Sequence, residues 1–408
     1  MLPARPEDHG FDAARLARID AYLKARYLDT GRLPHTQLLV AHEGEVVHFS
    51  HQGLARADSD MKVDETTLFR IASMTKPVTS LAFMMLVEEC KVGLDTPVEQ
   101  VLPEFKDVGV FNGGGAGVPF LTKAPAEPMR MIDLLRHTSG LTYSFQQRSN
   151  IDAAHREGKL ENWYDNLTLD EFVAAVGKLP LEFSPGTAWN YSVSTDILGA
   201  VVQRVSGQGL GDFFRERIFA PLGMDDTFFV VPEDKVHRLA DCWTLVPGKG
   251  RVMFDRAEES LWRLPPRNIS GGGGLVSTAL DYHRFCTMLL NKGSLGGVRL
   301  VSRKTIDLMT ANHLPGGGDL ASMSTSLFSE TTNAGVGFGL GFAVTTDSAK
   351  TMIPGSVGEF YWGGMFSTAF FVDPVERITM VFMTQVSPST AFTIRRELKT
   401  LIYSALST

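Results

Sequence analysis

Cysteine is scarce in this chain. The three that occur among 408 residues, Cys90, Cys242 and Cys286, are odd in number and far apart. That excludes a disulfide framework and reads as isolated core thiols in a reducing compartment. An excess of positive charge is also missing, since the net charge is −7, which argues against nucleic acid and anionic membrane surfaces as partners. No apolar run reaches the length of a membrane span. Residues 1–10 carry proline and charges but no apolar segment, so no secretory signal is expected and the expected location is cytoplasmic. His-Glu-x-x-His, cysteine pairs and clustered carboxylates are absent, so no metal is expected. No glycine run continues into Gly-Lys-Ser/Thr, and no cofactor is expected. G-x-S-x-G is absent too, which removes a nucleophile on a strand-to-helix elbow.

What is present is ordinary for a soluble globular protein: 44% hydrophobic and 21% charged residues. The length exceeds what one compact core organises, which favours two domains. Asp12 is placed to cap a helix carrying Leu16, Ile19, Leu23 and Tyr27. Residues 37–41 and 45–49 read as a hairpin turning at Glu43-Gly44. An apolar helix follows over about 74–90, then a glycine-rich, loop-like stretch at 113–117. Helical patterns dominate the middle, at 131–137, 169–177, 194–206 and 211–220. After a second glycine run at 271–274 comes a helix over 279–292. Strand patterns then appear at 339–344, 369–372 and 378–383, before a terminal helix over 392–406. The expected fold is therefore α+β. The two ends pair into one antiparallel sheet flanked by helices, and the middle forms a helical insert. The expected domains are 1–92 with 246–408, and 93–245, with a cleft between them, where pockets prefer to form. The 113–120 loop and the 312–333 segment are expected to shape access to it.

The most informative residues are Ser73-Met74-Thr75-Lys76. Positions i and i+3 share one face of a helix, so the lysine amine can reach the serine hydroxyl. A serine hydroxyl is a weak nucleophile until a neighbour takes its proton. Pro77 is tolerated near a helix start, which places Ser73 at the N-terminus, where free N–H groups favour developing negative charge. Ser59-Asp60-Met61-Lys62 has the same spacing. It sits among Asp58, Asp60 and Asp64 with no apolar helix behind it, and reads as a surface loop.

A lysine acting as a base near neutrality needs help, because its ordinary pKa is ~10.4. Tyr191, in Tyr191-Ser192-Val193, precedes a helix and is the candidate to share the proton. Tyr143, just after His137-Thr138-Ser139-Gly140, is a second candidate for the cleft wall. Tyr403 reads as packing, His137 as a structural cap or core hydrogen-bonder, and Met84 and Met85 as core. Acyl transfer also needs two N–H donors for the oxyanion. One is that of Ser73. The other is sought at Trp362-Gly363-Gly364-Met365, where glycines within a strand pattern mark close backbone approach.

Ser73-x-x-Lys76, Tyr191-Ser192-Val193 and Trp362-Gly363-Gly364, in this order and rough spacing, resemble the serine β-lactamase-like superfamily, which includes the penicillin-binding proteins. The nearest likeness is to the family VIII carboxylesterases, which share the class C β-lactamase fold. The flanks 69–76, 134–141 and 271–277 match as well, and the likeness spans nearly the whole chain. It implies a β-lactamase/transpeptidase-like architecture and a serine hydrolase. Ser73, Lys76 and Tyr191 would be catalytic, with Met365, Trp362, Gly363, Gly364, Tyr143 and Val193 at the oxyanion and substrate positions. The class C enzymes carry Tyr-x-Asn and Lys-Thr-Gly. Here Val193 stands for that asparagine, Trp362 for the lysine and Gly363 for the threonine. The groups that meet a β-lactam's amide and carboxylate are thus missing, and an apolar wall replaces them. The resemblance implies a short-chain, neutral carboxylic ester as the small-molecule substrate. A β-lactam hydrolase, a D-amino-acid peptidase or an acyltransferase would use the same chemistry. A non-catalytic sensor would keep the acylatable serine and show no turnover. Oligomeric state is not legible.

Overall fold

The two ends of the chain meet in one sheet. The computed structural model describes residues 3–164, 167–325 and 333–407. Among these residues, seven strands form an antiparallel sheet: β1 (His35–His42), β2 (Glu45–Gly53), β3 (Val336–Phe338), β4 (Ala343–Thr345), β5 (Phe360–Gly363), β6 (Ala369–Asp373) and β7 (Ile378–Met383). Their spatial order is β3-β4-β5-β6-β7-β1-β2. The β1–β7 pairing, with Leu38 opposite Phe382 and Val40 opposite Met380, joins the N-terminal hairpin to the C-terminal strands.

Five helices matter most for the site: α1 (Ala13–Leu23), α2 (Thr75–Glu88), α3 (Ser194–Ser206), α4 (Ala279–Leu290) and α5 (Ile394–Tyr403). Side chains alternate across a strand, and both faces of this sheet are buried. Leu38, Val40, Phe371, Met380 and Phe382 pack with Leu16, Ile19 and Leu23 of α1 and Leu398 and Ile402 of α5. Leu39, Ala41, Phe370, Val381 and Met383 point the other way, into a larger core with α2, α3 and α4. Every residue from Thr75 to Leu86 is buried, as expected of a helix enclosed on all sides. Asp12 caps α1, its side chain accepting the Arg15 N–H at 3.0 Å.

The helical part follows the sequence reading, with helices Met131–Leu135, Leu169–Gly177 and α3, and a run of helical turns over 210–222. Several local expectations differ. The stretch 339–344 is not one strand: β3 ends at Phe338, and 339–342 turns into β4. Gly341 has φ +100°, and a Cβ there would lie 2.4 Å from Ser80 Oγ, so only glycine lets this turn rest on α2. The glycines at 113–117 belong to a hairpin, Val110–Gly115 with Val118–Lys123, rather than a plain loop. Its register slips twice, and positive φ at Gly113, Gly114 and Gly115 supplies the bulges. Cys90 is exposed and is no core thiol. Cys242 and Cys286 are buried, and burial pushes the Cys242 thiol up to about 12. Tyr403 does more than pack: its hydroxyl reaches Glu359 Oε2 at 2.7 Å and Asp373 Oδ2 at 2.6 Å. No helix among the described residues is long and apolar enough to cross a membrane.

Candidate active site

The residues before Ser73 are anchored first. Phe69–Arg70 pairs antiparallel with Val276–Ser277. The Arg70 guanidinium is wholly buried, donates to Ala240 O at 2.6 Å and Ser260 Oγ at 3.0 Å, and pairs with Asp255. Ala72 then takes φ +43°, a costly conformation for a residue with a Cβ and one that clusters at functional sites. Ser73 follows in a short 3-10 turn, Ala72–Met74, that runs directly into α2. The turn is held from outside, because Tyr282 OH donates to Met74 O at 2.8 Å and Leu275 N–H donates to Thr75 Oγ1 at 3.1 Å.

The three expected residues come together around one oxygen. Ser73 Oγ lies 2.7 Å from Tyr191 OH and 3.2 Å from Lys76 Nζ. Lys76 is 2% exposed and also donates to Gly272 O at 2.7 Å. Its Nζ lies 4.6 Å from the Tyr191 ring centre and 5.4 Å from that of Tyr143, within the range where an ammonium is attracted to an aromatic face. Tyr191 is delivered by the strand-like segment before α3. Asn190 N–H donates to His137 O at 2.9 Å, and Gln146 Nε2 donates to Tyr191 O at 2.8 Å. His137 is fully buried beneath the Tyr191 ring, 4.9 Å between centres, with its Nδ1 3.4 Å from Ser192 Oγ. Burial, and then the Lys76 charge, push its pKa well below the usual value, which leaves it neutral.

A fourth polar residue, not singled out from the sequence, stands behind this group. Asp196, in the first turn of α3, is 2% exposed. It accepts hydrogen bonds from Ser270 Oγ at 2.6 Å, Gly272 N–H at 2.9 Å and Tyr143 OH at 3.1 Å. Burial raises its pKa, and Lys76 and these three donors oppose the rise. In sequence it looks like any acidic residue in a first helical turn; only the fold brings the 270–274 turn onto it.

The opposite wall is the end of β5. A Cβ on Gly364 would lie 2.5 Å from Ile71 O and 2.4 Å from Thr368 Oγ1. Glycine therefore lets this strand end touch the residues leading to Ser73. A Cβ on Gly363 would lie 2.5 Å from the Arg395 guanidinium, which donates to Gly364 O at 2.8 Å and Thr368 O at 3.0 Å. Neither Ser73 N–H nor Met365 N–H has an acceptor among the described residues. Trp362 stands over the tyrosine, with ring centres 5.5 Å apart.

These walls form part of a cavity of ≈ 720 Å³ that Ser73, Lys76, Tyr143, Tyr191, Trp362, Gly363, Gly364 and Met365 all line, and that continues to Arg396 and Lys399 of α5. Much of the remaining lining is aromatic, including Phe145, Trp163, Phe229, Phe254 and Trp262. Val193 does not line the cavity: its side chain is fully buried in the core and its N–H donates to Thr142 O at 3.2 Å. Residues 113–120 do not line it either. Of the 312–333 segment, Leu320 and Asn333 reach the wall; 326–332 lie outside the described residues. No group of three or more metal-ligating side chains occurs among the described residues.

A Ser-x-x-Lys pair with its lysine buried, an adjacent tyrosine and an antiparallel sheet with a helical part define the serine β-lactamase-like class of hydrolases. The chain belongs to the β-lactamase family, whose model matches residues 19–403. Esterase EstB of Burkholderia gladioli is 30% identical over 398 residues, 94% of this chain and 93% of that protein. The lovastatin esterase of Penicillium rubens is 32% identical over 317 residues, 74% of this chain and 75% of that protein. Among solved structures, EstCE1, described as a hydrolase with promiscuous acyltransferase activity, matches with a TM-score of 0.77 at 25% identity, over 97% of this chain and 99% of that one. The protein is thus a serine hydrolase of the esterase and acyltransferase branch of the superfamily.

Proposed function

We propose that the protein is a carboxylesterase that cleaves neutral, short-chain carboxylic esters through an acyl-enzyme on Ser73. The observation that carries this reading is the pair of contacts on Ser73 Oγ, 2.7 Å to Tyr191 OH and 3.2 Å to Lys76 Nζ. Ser73 Oγ attacks the ester carbonyl, and its proton passes to the Lys76–Tyr191 pair. The carbonyl π electrons move to oxygen, and the N–H groups of Ser73 and Met365 hold the oxyanion. On collapse the alkoxide leaves with a proton from Tyr191. Water then gives its proton to the same pair, attacks the acyl group and releases the acid, and Ser73 regains its hydrogen.

Support for a neutral ester comes from the walls. Where the class C pattern has a lysine, Trp362 adds an indole to an aromatic cavity, which favours an apolar group over a carboxylate. The names of two relatives, an esterase and a lovastatin esterase, agree with ester substrates. The deciding experiment compares hydrolysis of p-nitrophenyl butyrate and of a chromogenic cephalosporin by wild type and Ser73→Ala. Ester turnover that vanishes in the variant, with slow or no cephalosporin cleavage, is expected. Efficient cephalosporin cleavage with poor ester turnover would transfer the same residues to β-lactam hydrolysis. Ester turnover unchanged in Ser73→Ala would overturn the reading.

A further inference from the structure

Lys76 is not positioned by α2 alone. Its Nζ donates to Gly272 O at 2.7 Å, a shorter contact than the 3.2 Å to Ser73 Oγ. The place of that carbonyl depends on the 270–274 turn, which Thr79 Oγ1 holds at Gly271 O (2.6 Å), Trp262 Nε1 holds at Gly274 O (3.2 Å), and one buried carboxylate holds at its centre. Ser270 Oγ and Gly272 N–H both donate to Asp196 Oδ1, at 2.6 and 2.9 Å. A Cβ on Gly272 would lie 2.5 Å from Asp196 Oδ2, so the glycine is pressed against the carboxylate. Oδ2 takes Tyr143 OH at 3.1 Å, and the Tyr143 ring flanks Lys76 Nζ at 5.4 Å. One carboxylate thus fixes two neighbours of the lysine, a carbonyl acceptor and an aromatic face.

We infer that Asp196 is a positioning residue for the Lys76–Tyr191 base, holding Lys76 against Ser73 through the Gly272 peptide and balancing its charge. The inference rests on the acyl-enzyme reading above and adds to it a group that touches no substrate. The charge interaction is mutual. Lys76 opposes the rise that burial imposes on the Asp196 carboxyl, as opposite charges in one buried cluster attract. The other groups facing Lys76 are the Tyr191 and Tyr143 rings, the Ser73 hydroxyl and His137, which burial keeps neutral. Glu161 acts on this cluster from further out, through Tyr143.

Asp196→Asn separates charge from shape, because an amide oxygen at Oδ1 still accepts from Ser270 and Gly272. The measurement is the rate of Ser73 phosphonylation by a fluorophosphonate as a function of pH, with the labelled residue identified by peptide mass. Removing the anion makes the site as a whole less favourable to a bound proton. The acid limb of the D196N profile is expected about one pH unit below that of wild type, a roughly tenfold gain in rate relative to plateau on that limb. The plateau itself should fall as the base weakens. Asp196→Ser, smaller and uncharged, repeats the test should the asparagine variant fail to fold. Coincident limbs, with only the melting temperature lowered, would make Asp196 a purely structural residue and overturn the inference while leaving the acyl-enzyme reading intact. Absence of label on Ser73 in wild type would overturn both.

Discussion

Two segments of this chain carry the same tetrapeptide spacing, and the fold treats them in opposite ways. Ser59 and Lys62 lie exposed in an irregular loop, where Ser59 Oγ does no more than accept the Met61 N–H at 3.3 Å. Ser73 and Lys76 stand at the start of a buried helix, with the lysine 2% exposed and the serine oxygen shared with Tyr191. A motif fixes which groups are close along the chain. It does not supply the dry surroundings in which a hydrogen bond or a charge has large consequences. Arg70, the Ala72 turn, Asp196 and the 271–274 glycines supply them for one copy, and nothing comparable surrounds the other.

The comparison is broken most severely by exchanging the serines. Ser73→Ala should lower kcat for p-nitrophenyl butyrate by about 10⁴-fold or more, while Ser59→Ala leaves it unchanged. Equal effects in steady-state kinetics would mean that the wrong copy has been assigned. The lysines come next. Lys76→Ala and Tyr191→Phe should each cost roughly 10²–10⁴ in kcat, the range for general acid–base groups, with Lys62→Ala silent. A near wild-type rate in either site variant would remove that residue from the base.

Gly364→Ala sharpens the contrast differently, because it tests the strand end packed against the residues leading to Ser73. The added Cβ meets Ile71 O and Thr368 Oγ1, so the turn carrying Met365 must shift. A loss of about 10²-fold in kcat with little change in KM is expected if that turn holds an oxyanion donor. A rise in KM alone would make the turn a binding wall only.

The smallest effect concerns stability. His35 packs against Phe69, which leads into the buried motif, at 5.7 Å between ring centres. Burial lowers its pKa from 6.5 to about 4, and that of His283 likewise to about 4. The unfolded chain therefore binds more protons than the native one between these values, and stability rises with pH there. The native state should be fully stable above about pH 6.5 and lose roughly 3 kcal/mol per histidine as pH falls toward 4. Denaturant melts from pH 7 to 4 would show it, and a flat profile would count against both histidines being neutral in the native state.

Much of this was legible because it is local or periodic. The helix positions of residues 13–27, 74–90 and 194–206, the β1–β2 hairpin and the apolar C-terminal strands follow from local pattern alone. The pairing of the two chain ends followed from the order of elements. Other features were hidden for physical reasons. Gly339 to Val344 alternates like a strand, yet Gly341 turns against Ser80. Val193 sits beside Tyr191 in sequence, but its side chain points into the core. The hairpin at 110–123 was masked by glycines that serve its bulges.

By itself the sequence determined the candidate reacting groups: a serine and a lysine one helical turn apart, a tyrosine before a second helix, and glycines where backbone must come close. These follow from covalent spacing and from side-chain size, which are local properties. Only the tertiary structure decided which Ser-x-x-Lys pair has its lysine buried. It also set the distance from Tyr191, 118 positions away, to Ser73, and placed a carboxylate behind the lysine. Those depend on desolvation and on contacts between distant segments, because burial and long-range contact arise only once the chain is packed.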